Sequence, residues 1–463
     1  MTDKNIKQEI NTEKKEAGTL KPLADKDRSM SWPSYVMLWL GGCISIGTLA
    51  MGSAQINKGL NLLQILLAVA LGTALLVVGI IFNDQFSYKT GVPYAVQLKS
   101  AFGTKGNIIP VMIRGLPAIV WYGFQTWLGG NAINNISIAI FNYDNVWLFF
   151  IAFQVLQIYL SIKGFHGIKW VENIGGVVII VAMFYMLYTC ITQYSDVIQT
   201  QLIDIEPVWG LPFFGAIMAF FGNSTTVMLN AGDYSRELKK GYGSGSRAFA
   251  YFLSMFPATV LLGVIGAMAS VATGIANPIN AFSQMVDNKI LLVVTLLFIL
   301  FAQMTTNLAS NVVPPAYAFM DAFKIKHKTA VILVGVLAFA SCPWILANDS
   351  SAAGLDLFVK IYTAFFGPIF AILIVDYYIL HRKHISDDYL NALYDDKGVR
   401  SGINWAAIIA LFIGALIGLI NVDLSFFTAT IPTALVYYFL TKNMKSAAAF
   451  RIGTKFDKDH VID

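Results

Sequence analysis

Two glycine-rich segments that interrupt long apolar runs contain the residues of this sequence that could bind a solute or an ion. One runs from Gly41 to Gly47, and the other has Gly215 followed by Gly222-Asn223-Ser224-Thr225-Thr226. Both lie inside long apolar runs. Glycine lowers helix stability, and backbone groups freed inside an apolar layer must be satisfied by protein or by a water-filled cavity. Such groups could bind a small solute or an ion. The alternative is that small residues simply permit close helix packing.

The residue types that most often carry catalysis are poorly placed for it. All five histidines fall in predicted loops or in the C-terminal tail, and the sequence has no buried His/carboxylate constellation and no nucleotide-phosphate motif. Cys43, Cys190 and Cys342 lie in apolar runs without metal-ligand or paired spacing, which indicates packing. A membrane-embedded enzyme and an ATP-driven pump are therefore disfavoured, and so is a channel, because no filter-like repeat is visible. No organic cofactor is expected.

The composition indicates a membrane protein. Of 463 residues, 56% are hydrophobic and 13% are charged, whereas about a quarter of the residues in a soluble chain are charged. Apolar runs of roughly 20 residues, the length that spans a bilayer, recur from Ser34 almost to Leu440. Residues 1 to 30 are polar and mixed in charge, without the apolar core of a signal peptide, and are expected to form a disordered cytosolic tail.

The pattern predicts an all-α membrane fold, because the short alternating segments of a membrane barrel are missing. We expect a cytosolic tail over residues 1–31, a transporter domain over 32–442 and a second cytosolic tail over 443–463. Twelve spans fit, at about 34–55, 61–83, 107–136, 145–162, 170–192, 208–231, 248–272, 290–316, 329–346, 355–380, 402–420 and 424–441.

The distribution of basic residues predicts the orientation. With the N-terminus in the cytoplasm, only Lys58 and Lys289, among the Lys and Arg residues of loops and tails, fall on the outer side. Cytoplasmic loops collect Lys and Arg, so both termini are expected inside a cell (inner or plasma) membrane that the chain crosses many times. The net charge of +5 needs no nucleic acid partner, since no basic stripe with interleaved aromatics exists. The lipid bilayer and a small solute are the expected partners, and no obligatory protein partner is evident.

The two interrupted spans, the first and the sixth, occupy matching positions if the chain is a five-plus-five repeat followed by two extra helices. The repeats would cover about 34–192 and 208–380, and the extra helices about 402–441. Interrupted helices at matching positions of two halves mark the binding site of many transporters. The matched position favours broken helices over simple packing.

Several stretches carry a more specific signal: Arg114 through Trp121-Tyr122-Gly123-Phe124-Gln125, Asn230-Ala231-Gly232-Asp233-Tyr234-Ser235-Arg236, Thr305-Thr306-Asn307-Leu308-Ala309-Ser310-Asn311, Gly367-Pro368 with Asp376-Tyr377-Tyr378, and more faintly Gly91-Val92-Pro93 followed by Ser100-Ala101-Phe102-Gly103. In their order and spacing they resemble the nucleobase:cation symporter-1 family of cytosine, allantoin and hydantoin permeases. The resemblance implies a LeuT-like inverted repeat and a symporter that imports a small nucleobase-like or hydantoin-like heterocycle, with substrate and cation near the midplane.

The resemblance also implies which residues hold the substrate. Trp121 would stack on the planar ring, Gln125 would bond to its amide-like edge one turn later, and Asn311 would be a second carboxamide, with Asn307 beside it. Carboxamides both donate and accept, which suits a ring with alternating N–H and C=O groups. The alternatives are interhelical hydrogen bonds for the asparagines and core packing for the tryptophan.

One position departs from the family. Many relatives carry a second aromatic residue, facing the first, where this chain has Ser224. Either an irregular backbone brings Phe221 into the site, or Ser224 and Thr226 contribute hydroxyl contacts to a ring held by one aromatic platform. The second case favours a smaller or more polar ligand, such as allantoin or a pyrimidine, over an aryl-substituted hydantoin.

The resemblance places a sodium ion between the interruption of span one and span eight. The matching oxygens are the carbonyls of Gly42, Ser45 and Ala302 and the hydroxyls of Thr305 and Thr306. Ligation by oxygen alone suits a hard cation, and the lack of a carboxylate suits a monovalent one. Alternatively, the threonines hydrogen-bond back onto their own helix.

Two further transport functions stay open. Proton coupling would require a titratable group near the site, and none of the ionisable residues in or beside spans falls on the proposed cation cluster: Arg114, Glu172, Asp233, Asp356, Lys360 and Asp376. An amino-acid or amine carrier of the same fold would need a glycine-rich helix break that captures a carboxylate. The carboxamides and the tryptophan fit a neutral ring better.

Overall fold

The computed structural model describes residues 21–162, 169–323, 325–346 and 352–457. Within these ranges, side chains are described for all residues except 169–180, 298, 302, 305, 306, 309, 321, 322, 352 and 353. The described residues form helices and no β-strand, with one isolated parallel bridge between Met30 and Leu238. The prediction of an all-α fold is confirmed.

The described α-helices, in chain order, are α1 (Trp32–Cys43), α2 (Ile46–Ala54), α3 (Leu62–Thr90), α4 (Tyr94–Phe102), α5 (Ile108–Phe141), α6 (Val146–Ile162), α7 (Lys169–Gln193), α8 (Ser195–Ile198), α9 (Leu211–Asn223), α10 (Thr225–Leu229), α11 (Gly232–Ser235), α12 (Ser244–Thr273), α13 (Pro278–Met285), α14 (Lys289–Asn307), α15 (Val313–Phe323), α16 (His327–Ala340), α17 (Pro343–Leu346), α18 (Ala352–Ile374), α19 (Asp387–Ala392), α20 (Trp405–Ile420) and α21 (Ser425–Asn443). Shorter 3-10 or π turns cover Asp25–Asp27, Ile56–Lys58, Gln199–Ile203, Leu308–Val312, Val375–Leu380, Val422–Leu424 and Lys445–Arg451.

Each predicted span coincides with a helix or with a broken pair of helices. Among the described residues, five helices are individually long and apolar enough to cross a membrane: Leu62–Thr90, Ile108–Phe141, Ser244–Thr273, Gly354–Leu380 and Val422–Asn443. The pair α1 and α2 passes the same test as one span bent by 49°. Shorter apolar helices cover Val146–Ile162, Val181–Gln193, Leu211–Asn223, Lys289–Phe301, His327–Ala340 and Trp405–Ile420.

Helix α3 extends beyond its prediction, which ended at residue 83. It begins with a capping box between Asn61 and Gln64 and continues to Thr90, where Gly91 takes the left-handed conformation (φ 76°) that ends many helices. The extra turns carry Asp84 into the interior. There Asp84 accepts hydrogen bonds from Arg247 of α12, a buried pair that the predicted span ends had placed in loops.

Close helix packing explains some glycines of the chain. A β-carbon on Gly52 of α2 would lie 2.1 Å from the carbonyl oxygen of Gly263 on α12, and one on Gly266 would lie 2.1 Å from the carbonyl oxygen of Leu49. The backbones of α2 and α12 therefore touch, which is the usual role of small residues between membrane helices.

The segment before α1 differs from the expected disordered tail. Leu23 donates its N–H to the carbonyl of Gly91 at 2.9 Å, and the buried Arg28 donates to the carbonyl of Leu238 at 3.3 Å. The bridge from Met30 to Leu238 lies alongside these contacts. Residues 21–31 are thus packed against two loops of the helical domain, while residues 1–20 lie outside the described residues.

Candidate functional site

The first helix break lies between α1 and α2. The last helical bond of α1 runs from the Ile44 N–H to the Leu40 carbonyl at 3.2 Å. Ser45 then adopts an extended conformation (φ −133°, ψ 137°), and its side chain caps α2 by accepting the Gly47 N–H at 3.1 Å. Because the last four carbonyls of a helix lack intrahelical partners, the break frees carbonyl groups beginning at Gly41.

Two of the three glycines at this break, Gly41 and Gly42, do not serve helix packing. A β-carbon built on Gly41 or Gly42 would meet no atom within 4 Å. A β-carbon on Gly47, in contrast, would lie 3.1 Å from the indole ring of Trp121. Gly47 therefore allows the Trp121 side chain of α5 to lie directly against the start of α2.

The second break lies between α9 and α10, where Ser224 leaves the helical conformation (φ −111°, ψ 9°). The freed carbonyl of Gly222 accepts hydroxyl groups from Thr225 at 2.7 Å and from Tyr362 of α18 at 2.8 Å. Next to it, Asn223 donates to the Thr48 hydroxyl of α2 at 3.4 Å. The two breaks therefore meet, and protein groups satisfy part of the freed backbone, as membrane depth requires.

Trp121 and Gln125 share one face of α5 beside these breaks. The Trp121 ring is buried and makes edge contacts with Phe124 (centroids 5.5 Å apart) and with Phe358 of α18 (6.2 Å). Gln125 is only 8% exposed, yet its carboxamide has no hydrogen-bond partner among the described residues. A buried amide of this kind is costly unless it is matched. Phe358 was not a predicted site residue, because nothing in the sequence of span ten distinguishes it from other apolar positions.

The two asparagines differ in their surroundings. Asn307 is 0% exposed and lies in an interhelical network, where its amide donates to Gln157 at 3.0 Å and to the Tyr122 carbonyl at 3.4 Å. Asn311 donates to the Asn307 side-chain oxygen at 2.9 Å, which leaves its own carbonyl oxygen for another donor. The structure thus places Asn307 inside an interhelical hydrogen-bond network and Asn311 at the edge of that network.

A π turn over Leu308–Val312 presents Asn311. Pro314 and Pro315 follow it, and because proline has no N–H, neither can donate to the carbonyl four residues earlier. Single π turns inside α-helices occur frequently at functional sites. The Pro-Pro pair is the feature of the sequence from which this irregular turn could have been predicted.

Phe221 lies away from the Trp121 ring. Its ring contacts are with Phe426, at 4.6 Å, and with Phe427, at 5.9 Å, both on α21. Ser224 and Thr226 are half-buried at the break itself. The structure therefore brings Ser224, rather than Phe221, to the junction of the two broken helices.

The predicted cation ligands are described in part. Gly42 and Ser45 lie at the first break, whereas Ala302, Thr305 and Thr306 lie on α14 with side chains outside the described residues. A small apolar cavity touches both elements. It is lined by Ser45, Ile46, Leu49, Met183, Met186, Pro278, Ile279, Phe282 and Ile299, so the break and α14 face each other across it.

The ionisable residues considered for proton coupling are engaged elsewhere where they are described. The Glu172 side chain lies outside the described residues. The other described side chains have these partners: Asp233 accepts the Tyr94 N–H at 2.8 Å, Asp376 accepts the Ser100 and Tyr437 hydroxyls at 2.9 and 3.0 Å, Arg114 donates to the Asn230 side-chain oxygen at 3.2 Å, and Asp356 pairs with Lys58 and Lys360 at 2.8 and 2.6 Å. Within the described ranges, each of these charges is thus engaged by a partner outside the first break.

Comparison with known proteins finds relatives that match most of the chain. Residues 22–441 match the family described as "Permease for cytosine/purines, uracil, thiamine, allantoin". The chain is 27% identical over 435 residues to a hydantoin permease of Microbacterium maritypicum, an alignment that covers 90% of this chain and 86% of the relative. It is 25% identical over 467 residues to an allantoin permease of Bacillus subtilis, covering 91% and 92% of the two chains.

Solved structures of similar fold include two of the transporter Mhp1. The inward-facing conformation of Mhp1 superposes with a TM-score of 0.83 and 26% identity, covering 95% of each chain. Mhp1 in a closed conformation with bromovinylhydantoin bound, described as a nucleobase-cation-symport-1 family transporter, superposes with a TM-score of 0.78 and 25% identity, covering 95% of this chain and 99% of the other.

Proposed function

Because this chain belongs to the family of permeases for cytosine/purines, uracil, thiamine and allantoin, we propose that it is a symporter that imports a small nucleobase-like or hydantoin-like heterocycle by alternating access. It is a multi-pass membrane transporter and not an enzyme. One observation carries the proposal: the Trp121 ring lies against Gly47 where two broken helices meet, and one turn later comes the Gln125 amide, which has no hydrogen-bond partner among the described residues.

The chemistry of these groups suits a flat, neutral ring. Trp121 supplies an aromatic face for stacking, while Gln125 and the carbonyl oxygen of Asn311 supply a donor and acceptors for the N–H and C=O groups on the ring edge. Asn307 holds Asn311 in place by the 2.9 Å hydrogen bond between them. The amino-acid carrier gains no support here, because the described site offers no cation to a substrate carboxylate at the breaks.

The size of the ligand follows from the second break. With Phe221 packed on α21, Ser224 and Thr226 add hydroxyl contacts, and the ring has a single tryptophan platform. A compact, polar substrate such as allantoin, cytosine or uracil therefore fits better than an aryl-substituted hydantoin. The hydantoin and allantoin permeases among the relatives support the same chemical class.

Sodium is the proposed coupling ion. The Gly42 carbonyl is freed at the first break, and Ser45, whose carbonyl also accepts the Thr48 N–H at 3.0 Å, lines the small cavity shared with α14. On α14, Ala302, Thr305 and Thr306 would complete an oxygen shell. Oxygen ligands without a carboxylate favour a monovalent hard cation. Proton coupling is the competing form, and the engagement of the described carboxylates elsewhere weighs against it.

In the proposed topology the chain crosses the cell membrane twelve times, and both termini lie on the cytoplasmic side. Residues about 34–192 and 208–380 would form the two inverted repeats, and residues about 402–441 the extra helices. The bent pair, the five long helices and the shorter apolar helices supply enough segments for this arrangement. The cytosolic tails would be residues 1–31 and 443–463. The bilayer and the substrate are the proposed partners.

An uptake assay tests the function. Proteoliposomes with an inward sodium gradient would be offered radiolabelled allantoin, hydantoin, cytosine, uracil and adenine, with an amino acid as control. We expect saturable uptake of at least one heterocycle and none of the amino acid. Uptake of the amino acid alone would contradict the proposal.

A further inference from the structure

Four charged side chains on and beside α18 form a series of ion pairs, which we name the outer ion cluster: Lys58, Asp356, Lys360 and Asp423. The Lys58 ammonium lies 2.8 Å from one oxygen of Asp356, and Lys360 lies 2.6 Å from the other. Lys360 also lies 2.5 Å from Asp423. Two positive and two negative charges thus balance, and Asp356 is the central member because it serves both lysines.

The cluster joins three separate parts of the fold. Lys58 ends the 3-10 turn that follows α2, and Asp423 lies in the 3-10 turn between α20 and α21. Asp356 and Lys360 lie one turn apart on α18. The hairpin between the two extra helices is therefore tied to the broken first helix through α18.

The same segment of α18 covers the candidate substrate site. Phe358 lies between the two charged residues in sequence and contacts the ring of Trp121. Tyr362 follows and donates to the Gly222 carbonyl at the second helix break. Any movement of this segment that separates Phe358 from Trp121 must therefore act against the ion pairs.

A buried ion cluster is a poor source of stability, because removing charges from water costs several kcal/mol per ion, so its attraction is largely offset. Asp356 and Lys360 are 8% and 5% exposed, whereas Asp423 is 36% exposed. Discrete charge pairs do, however, discriminate between two arrangements of packed elements, because a pair that is broken in one state favours the other.

A second contact lies at the same end of the fold. Asn135 near the end of α5 donates to Asn280 at 3.1 Å and to the Ser283 hydroxyl at 2.9 Å, both on α13. In the proposed orientation this end faces outward. The greater similarity to the inward-facing structure of Mhp1 than to its closed structure agrees with an outer side that is shut.

We propose that the outer ion cluster is an electrostatic latch that holds α18 over the substrate site when the outer side is shut, and that the hairpin of the two extra helices anchors it through Asp423. This inference rests on the proposed transport function and orientation. Its members are positioning residues, since they act on substrate access through α18 and do not contact the ring themselves.

The test measures access from outside. A parent protein carries Ser283→Cys as the reporter, with the native cysteines Cys43, Cys190 and Cys342 replaced by alanine, and its uptake of heterocycles is measured beside that of the native protein. Right-side-out vesicles are labelled with a membrane-impermeant maleimide, and the labelling rate is compared among variants of the parent. The variants are Asp356→Asn, Asp423→Asn, the charge-preserving Asp423→Glu, and Asp84→Asn as a matched control that breaks a different buried ion pair.

Neutralising the central carboxylate should favour the outward-open state and raise the labelling rate by about tenfold. Asp423→Asn should raise it less, because that carboxylate is more exposed and serves one lysine. Asp423→Glu should stay near the parent, and Asp84→Asn should lower thermal stability without changing the rate.

Unchanged labelling in both neutralised variants would overturn the latch, and so would an equal rise in Asp84→Asn. Should Asp356→Asn fail to fold, Asp423→Asn and Asp423→Glu decide the question alone. A parent that labels as expected but transports no heterocycle would instead contradict the proposed function, and the effect of the ion cluster on access would still be read from the labelling.

Discussion

Replacing Gln125 with alanine should weaken substrate binding and leave the fold intact. Gln125 is buried, and its carboxamide has no hydrogen-bond partner among the described residues. Removing it therefore breaks no described interaction of the protein. In the complex, however, the substrate edge would lose its partner and would be left buried and unmatched.

The size of the expected loss in binding follows from this difference between the free protein, which loses no described hydrogen bond, and the complex, which loses one. Leaving a buried polar group unsatisfied costs about 1–3 kcal/mol, which corresponds to about a 5- to 150-fold rise in the dissociation constant. Asn307→Ala is the matched control, because Asn307 is equally an interior carboxamide but donates to Gln157 and the Tyr122 carbonyl. It should lower the melting temperature, whereas Gln125→Ala should not.

The assay combines equilibrium binding of a radiolabelled heterocycle with thermal unfolding of the same purified protein in detergent. The expected pattern is weaker binding with an unchanged melting temperature for Gln125→Ala, and a lower melting temperature for Asn307→Ala. Parent-like affinity in a well-folded Gln125→Ala protein would refute the assignment of Gln125 to the substrate. A lower melting temperature in both variants would show that Gln125 serves packing.

Three further substitutions test the remaining assignments. Trp121→Ala should abolish most binding, whereas Trp121→Phe should retain part of it through the smaller ring; a change in expression alone would favour a packing role. Ser224→Phe should tighten binding of bulkier ring ligands, and unchanged selectivity in a ligand panel would place Ser224 outside the pocket. Thr305→Ala combined with Thr306→Ala should shift the sodium dependence of substrate binding to higher concentration, with affinity partly recovered at saturating sodium; an unaltered sodium titration would remove these hydroxyls from the cation site.

Helix positions were accessible to sequence reasoning because long apolar runs leave few alternatives in a bilayer. The first interruption was also predicted correctly. Its glycines Gly41 and Gly42 lie where the helix ends and meet no packing neighbour, so their presence in the sequence reflected the break and not close helix packing. The end of α3 was missed, because Asn83 and Asp84 are typical of a loop when their distant partners are unknown. Arg247, the partner of Asp84, was also left outside its helix, because that span was predicted to begin at residue 248, one residue after it.

Side-chain direction at the second break could not be predicted. Each helical residue turns the direction of its side chain by about 100°, so the break at Ser224 makes the orientation of Phe221 depend on local geometry. The outer ion cluster escaped prediction for a related reason. Asp356 and Lys360 are neighbours on one helix face, but Lys58 and Asp423 lie far from them in the sequence and meet them only through the fold.

Coupling between the ring and the cation is the central claim, and it is tested most directly by measuring the substrate dissociation constant of the purified protein in sodium and in choline. A cation bound at the first break, next to Trp121, should stabilise the arrangement that binds the ring, and each ligand must then raise the affinity of the other by the same factor. The predicted result is substrate binding that tightens as sodium replaces choline, with a reciprocal gain in sodium affinity. Equal dissociation constants in the two salts, together with a response to pH alone, would contradict the sodium site and establish proton coupling in its place.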